Sequence, residues 1–244
     1  LALSCLDLTN LNDDCTEADI EALCARALTD HGPVAAVCIW PRFVSLAEAI
    51  LHTTGVRVAT VVNFPTGLEP VEDVIAMTEK AVADGADEID LVVPWPKLME
   101  GYPAEVTAMV ARVKEAAGSA KLKAILETGM LGDAGLIRQA CELALEGGAD
   151  FLKTSTGKVP VNATLQSGRL LLEAIRASGL PVGFKPAGGI KTTADAAGYL
   201  DLCEEIMGPG WATPTTFRIG ASSVLTALLA TLDGVDAPEA GEGY

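Results

Sequence analysis

Short, nearly continuous runs of Val, Ile, Leu and Ala recur along the chain, and each is followed by a longer stretch of helical character. Runs without polar alternation are the signature of parallel strands covered on both faces. Eight can be picked out, at residues 2–8, 34–39, 57–63, 88–93, 122–127, 150–154, 182–185 and 216–219. The stretches 16–28, 43–52, 70–83, 104–117, 133–146, 162–177, 192–207 and 222–232 supply the crossovers. The first opens on Thr16 and carries Glu17, Asp19 and Glu21 in its early turns, a start favoured by capping and by the helix dipole. Strand–helix units repeated eight times predict an α/β fold, a single (β/α)8 TIM barrel over residues 1–232. An open doubly wound sheet would carry a glycine fingerprint in its first βα turn, and no G-x-G-x-x-G follows the first run. The Gly-Ala-Asp triplets at 85–87 and 148–150 sit just before two strands and read as tight helix-to-strand turns.

Composition agrees with that picture and narrows the partners. The 244 residues are close to one barrel of about 250, and a 50% share of hydrophobic residues is ample for a core. No apolar run approaches the ~18 residues of a membrane span, and the N-terminus lacks a secretory pattern, so a soluble cytoplasmic protein is expected. The end of the chain, 233–244, is polar and aperiodic and reads as a flexible tail. Six scattered cysteines read as buried thiols, and with only His31 and His52 to draw on, neither a catalytic metal nor another cofactor is expected. A formal charge of −16 repels nucleic acid and anionic membrane. An anionic substrate then needs a local cluster of cations and backbone N–H groups.

Two lysines stand out because they close apolar runs. Lys153 ends Ala149-Asp150-Phe151-Leu152-Lys153 and Lys185 ends Val182-Gly183-Phe184-Lys185, which puts both at C-terminal ends of neighbouring strands, the active-site face of a barrel. Two ammonium groups meeting in a partly desolvated mouth depress the pKa of at least one, and a neutral amine can attack a carbonyl to form an imine. The alternative is that each snorkels to the rim or pairs with a carboxylate. Asp90 interrupts Ile89 and Leu91-Val92-Val93, so it needs a partner, and a barrel-facing lysine is the obvious one. It could hold Lys185 or a water and shuttle protons, or serve as a structural ion pair only. Asp7 invites the same argument. Three segments follow strands six, seven and eight: Thr154-Ser155-Thr156-Gly157-Lys158, Pro186-Ala187-Gly188-Gly189-Ile190-Lys191 and Gly220-Ala221-Ser222-Ser223. Glycine, hydroxyl and lysine together suit an anion such as phosphate, whereas each segment alone would pass for a turn or a cap. Cys38, Trp40 and Trp95 lie at the ends of strands two and four, and the tryptophans read as packing.

The stretches FLKTSTGK (151–158), GFKPAGG (183–189) and EIDLVV (88–93) resemble the deoxyribose-phosphate aldolase family. Support comes from LDLTNLNDD (6–14), VCIWPRF (37–43), VVNFP (61–65) and FRIGASS (217–223), so the resemblance covers nearly the whole chain. It implies metal-free, reversible cleavage of 2-deoxy-D-ribose 5-phosphate to acetaldehyde and D-glyceraldehyde 3-phosphate. By the same resemblance Lys153 is the Schiff-base lysine, Lys185 tunes its pKa, Asp90 relays protons, and the C-terminal Tyr244 transfers a proton at the enamine carbon. Gly157, Lys158, Gly188, Gly189, Ser222 and Ser223 would surround the phosphate, and Asp7, Cys38, Thr156, Lys191 and Gly220 complete the substrate-binding set. The family often has arginine where this chain has Lys191, and lysine cannot make the same bidentate contact. A transaldolase-like barrel enzyme and a non-catalytic sugar-phosphate sensor stay open as readings, as does assembly into a homodimer.

Overall fold

The computed structural model describes residues 1–236. Its strands are β1 (Leu6–Asn10), β2 (Ala36–Ile39), β3 (Arg57–Val62), β4 (Glu88–Val92), β5 (Lys121–Ile125), β6 (Phe151–Lys153), β7 (Gly183–Lys185) and β8 (Ile219–Ala221). The helices are α1 (Glu17–Arg26), α2 (Val44–Leu51), α3 (Val71–Ala83), α4 (Trp95–Met99), α5 (Ala104–Ala117), α6 (Thr128–Leu131), α7 (Ala134–Glu146), α8 (Leu165–Ser178), α9 (Thr193–Met207) and α10 (Val224–Asp233). Side-chain caps fix several starts. Thr16, Thr164 and Thr192 each accept a backbone N–H from the residue three positions on, and Asp19, Ser167 and Asp195 return the bond, closing capping boxes on α1, α8 and α9.

Strands pair in parallel in the order β8-β1-β2-β3-β4-β5-β6-β7. The last gap, between β7 and β8, is bridged at Phe184–Phe217 and Ala187–Gly220. Phe184 N–H donates to Thr216 O at 2.8 Å, Arg218 N–H to Phe184 O at 3.0 Å and Gly220 N–H to Pro186 O at 2.9 Å. With its edges joined, the sheet is the expected (β/α)8 barrel. Two strand starts shift by three residues or more: β1 starts at Leu6 behind a 3-10 turn over Leu3–Cys5, and β8 regularises only at Ile219. Helices α4 and α6 and a two-rung antiparallel pair, Leu28–Thr29 with Gly32–Pro33, are too short to leave a period in the sequence.

The Gly-Ala-Asp triplets are turns with a second use. Gly85 and Gly148 adopt φ of 105° and 88°, a region costly for residues with a Cβ. The chain then aims Asp87 at the N–H of Val58 and Asp150 at the N–H of Leu122, so each carboxylate caps the start of a neighbouring strand. The main apolar core lies between strands and helices. A second, smaller cluster lines the barrel interior: Ala36, Cys38, Ala59, Val61, Val92 and Ile125 come from β2–β5, and Leu11 and Phe64 join them from just past β1 and β3. All six cysteines are free and buried. Among the described residues, no helix is long and apolar enough to cross a membrane.

Candidate active site

Register brings the two singled-out lysines together. Lys153 on β6 stands directly opposite Lys185 on β7, and Asp90 on β4 directly opposite Lys123 on β5. Strand alternation sends all four inward, where branched apolar residues usually fill a barrel. Here the interior holds ions. Asp90 Oδ1 accepts from Lys123 Nζ at 2.8 Å, while its Oδ2 accepts from Lys153 Nζ and from Lys185 Nζ, both at 2.7 Å. Asp7 accepts from Lys185 at 2.5 Å and from Arg218 at 2.7 Å. Glu88 takes the fork of Arg218 at 2.6 and 3.0 Å and lies 2.6 Å from Lys123 Nζ. Cys38 Sγ sits 4.0 Å from Asp90 Oδ2. None of these side chains has appreciable contact with solvent.

The lysines fare differently in this crowd. Burial pushes the Lys153 ammonium down, Asp90 pulls it up and Lys185 pushes it down again, leaving it below the ordinary value of 10.5. Burial also opposes the charge on Lys185, but Asp7 and Asp90 outweigh it and hold Lys185 well above 10.5. Lys123 is raised too, because Asp90 and Glu88 outweigh its burial. Burial alone would raise Asp90, yet Lys123, Lys153 and Lys185 keep it well below 3.8. The site therefore combines one lysine disposed to lose its proton with two that keep theirs. That is the electrostatic arrangement an amine nucleophile needs.

Loops after β6, β7 and β8 are tied to one another at the rim. Ala187 N–H donates to Thr154 Oγ1 at 3.0 Å, and Gly188 N–H to Gly220 O at 3.3 Å. A Cβ on Gly188, whose φ is 83°, would come within 2.8 Å of Asn162, whereas around Gly189 the space is open. Gly157 has φ of 84°. Lys158 Nζ donates to Leu11 O at 2.7 Å across the mouth. Lys191 N–H is taken by Asp195 at the start of α9. Gly220 lies on β8, and Ser222 and Ser223 lead into α10, with Ser223 Oγ buried and, among the described residues, without a hydrogen-bond partner. Tyr244 lies outside the described residues.

Thr156 shows a further device. Its N–H and hydroxyl donate to the two oxygens of Glu127 at 3.1 and 2.6 Å, and its oxygen accepts from Lys158 N–H at 3.1 Å. Glu127 is fully buried and adopts a left-handed φ of 54°, a strained conformation for a residue with a side chain. Burial raises its carboxyl, with the two Thr156 bonds and Lys153 pulling the other way.

A model of the DeoC/LacD family aldolases matches residues 1–205. The chain belongs to that family. As a DeoC/LacD aldolase it is 56% identical, over all of this chain and 95% of the relative, to a deoxyribose-phosphate aldolase of Agrobacterium fabrum (strain C58). Among solved structures it resembles the aldolase QR15, with 28% identity, a TM-score of 0.82 and coverage of 95% of this chain and 96% of that one. It also resembles the tetrameric deoxyribose phosphate aldolase of Aeropyrum pernix, with 26% identity, a TM-score of 0.77 and coverage of 96% and 92%.

Geometry thus gathers Lys153, Lys185, Asp90, Asp7 and Cys38 into one interior cluster of this aldolase, and the glycine and serine loops onto the adjoining rim. Sequence reading missed Lys123, Glu88 and Arg218 in the cluster and Glu127 behind the rim. The signal was available in part: Glu88 and Asp90 are two apart in one strand and so share a face, as do Lys123 and Ile125.

Proposed function

We propose that the chain is a Schiff-base aldolase that reversibly cleaves 2-deoxy-D-ribose 5-phosphate to acetaldehyde and D-glyceraldehyde 3-phosphate, with Lys153 as the imine-forming residue. The observation that carries this reading is the shared oxygen of Asp90, which holds Lys153 and Lys185 at 2.7 Å each while only Lys153 is depressed in pKa. The name borne by the A. fabrum relative supports the choice of substrate.

Neutral Lys153 Nζ attacks the C1 aldehyde of the open-chain sugar, and loss of water gives a protonated imine. The 3-hydroxyl then gives up its proton, the C2–C3 electron pair flows toward the iminium, and the phosphorylated triose leaves an enamine behind. A proton added at C2 and water added at C1 release acetaldehyde and restore the amine. Asp90 holds Lys185 and moves protons between lysine and substrate, and Tyr244 is the assigned donor to C2. The rim loops carrying Gly157, Lys158, Gly188, Gly189, Lys191, Ser222 and Ser223 receive the phosphate through backbone N–H groups, hydroxyls and lysine charge. A cytoplasmic location and assembly into a homodimer are proposed alongside this reading and do not follow from it.

Borohydride with acetaldehyde tests the centre of this proposal. A reduced two-carbon adduct is expected on Lys153, located by peptide mapping of the full-length protein. An adduct on another lysine with Lys153 unmodified would sink the assignment, and no adduct at all would favour a binding protein.

A further inference from the structure

The interior cluster contains three carboxylates, Asp7, Glu88 and Asp90, against four cations, Lys123, Lys153, Lys185 and Arg218. These groups come from five strands and, with Arg218, from the residue just before β8, and they share their partners, so none can gain or lose charge without the others feeling it. We infer that Lys123 sets the protonation state of Lys153: with Lys185 and Arg218 it neutralises the three carboxylates, so that Lys153 is the one cation for which the barrel has no carboxylate left. This rests on Lys153 being the imine-forming residue.

Partner distances support the division. Arg218 is bound to Asp7 and bidentately to Glu88. Lys185 is bound to Asp7 and Asp90. Lys123 reaches Glu88 at 2.6 Å and Asp90 at 2.8 Å, and lies 3.7 Å from Asp7, so it is the cation that touches all three carboxylates. Lys153 touches Asp90 alone, on an oxygen already used by Lys185. It is the cation whose proton can be given up with the smallest loss of pairing. A buried ensemble with one surplus positive charge relaxes by releasing a proton, and the least-compensated group releases it. Lys185 alone would not create that surplus, because Lys185 and Arg218 leave one carboxylate unmatched, and Lys153 would then stay charged to match it.

Other ionisable groups facing Lys153 do not change the count. Cys38 on β2 is pushed toward the neutral thiol by burial. Glu127 after β5 is pushed toward the neutral acid by burial, against the opposing pull of its Thr156 bonds and of Lys153, and both its oxygens face Thr156 rather than a cation of the cluster. The inward residues of β3, Ala59 and Val61, carry no charge. Lys123 is paired with Asp90, Glu88 and Asp7, so it acts through these carboxylates as a positioning residue.

The test is the pH dependence of borohydride trapping by acetaldehyde in the full-length protein. Lys123→Met leaves three carboxylates to two permanent cations, so Lys153 keeps its proton and the acid limb should move up by about one pH unit or more. Glu88→Gln leaves a larger cationic surplus and should move the limb down. The double variant restores the balance and should return the limb close to wild type. Coincident limbs for Lys123→Met and wild type, or a double variant shifted as far as Lys123→Met alone, would overturn the inference. Should Lys123→Met fail to fold, Glu88→Gln decides the matter alone, since an unmoved or raised limb contradicts the charge count. Failure of wild type to trap at Lys153 at any pH would instead overturn the parent reading.

Discussion

Asp90 offers two oxygens to three ammonium groups, and that shortage governs what each neighbouring substitution should do. Lys185→Leu removes a charge that disfavours protonation of Lys153, so the Lys153 pKa should rise and imine formation at neutral pH should slow. The variant also takes one buried partner from Asp7, which keeps Arg218, and one from Asp90, which keeps Lys123 and Lys153, so it should cost less than the about 3–5 kcal/mol of a fully uncompensated buried charge. Both a raised acid limb in borohydride trapping and a lowered Tm are expected. An unshifted limb together with a lowered Tm would give Lys185 a purely structural role. The residues that define this site differed in how visible they were along the chain. Lys153, Lys185 and Asp90 betray themselves because each interrupts or closes an apolar run. Glu88 opens β4, Arg218 precedes β8, and Lys123 lies mid-strand two residues after the exposed Lys121, so along the sequence all three pass for solvated polar positions at strand margins or on an outer face. Glu127 is hidden for another reason: its role depends on a left-handed backbone that no neighbouring glycine or proline announces.

Among the elements, α10 and the loop that feeds it offer the sharpest test of where phosphate binds. Ser223 stands at the N-terminal end of a helix of 10 residues, with its hydroxyl buried and no partner among the described residues. Free N–H groups and the positive end of the dipole favour an anion there. Ser223→Glu puts a carboxylate in that place and should repel the phosphate by like charge, while acetaldehyde still reaches Lys153. Turnover of the phosphorylated sugar should fall by about a hundredfold or more through KM, the equivalent of a few charge-assisted contacts. Turnover of unphosphorylated deoxyribose should change little, and equal loss on both substrates would mean that this loop only supports the barrel. The eight strand–helix units were legible because each strand is a solid apolar run and each helix is long enough to show its caps. The β7–β8 seam was not, since its strands span three residues each and meet through isolated bridges. Gly220 sits in that seam so tightly that a Cβ would come within 2.8 Å of Ala187 and 3.0 Å of Lys185, which ties the rim loop to the lysine below it.

For the whole molecule, the ionic interior makes folding stability depend on pH in opposing ways. Burial alone would raise Asp7 and Asp90, but the cations around them hold both below 3.8 in the folded chain, so their contribution is present above that value and is lost as the pH falls through the lower folded value. Lys123 and Lys185 are raised above 10.5, so theirs is present below 10.5 and is lost as the pH rises through the higher folded value. Lys153 runs against both. Its folded pKa lies below 10.5, so from 10.5 downward the unfolded chain binds a proton that the folded chain resists, and the native state loses stability until the lowered value is reached. Lys153→Met keeps the length and apolar stem of the side chain and removes this proton-linked cost. Unfolding by urea should therefore show the variant gaining on wild type as the pH falls from above 10.5 to neutrality, with trapping abolished throughout. Packing differences between Lys and Met do not depend on pH, so the slope of the difference is the readout and its offset is not. A difference that stays flat over that range would mean that Lys153 carries no electrostatic strain, and the source of its reactivity would have to be sought outside the buried cluster.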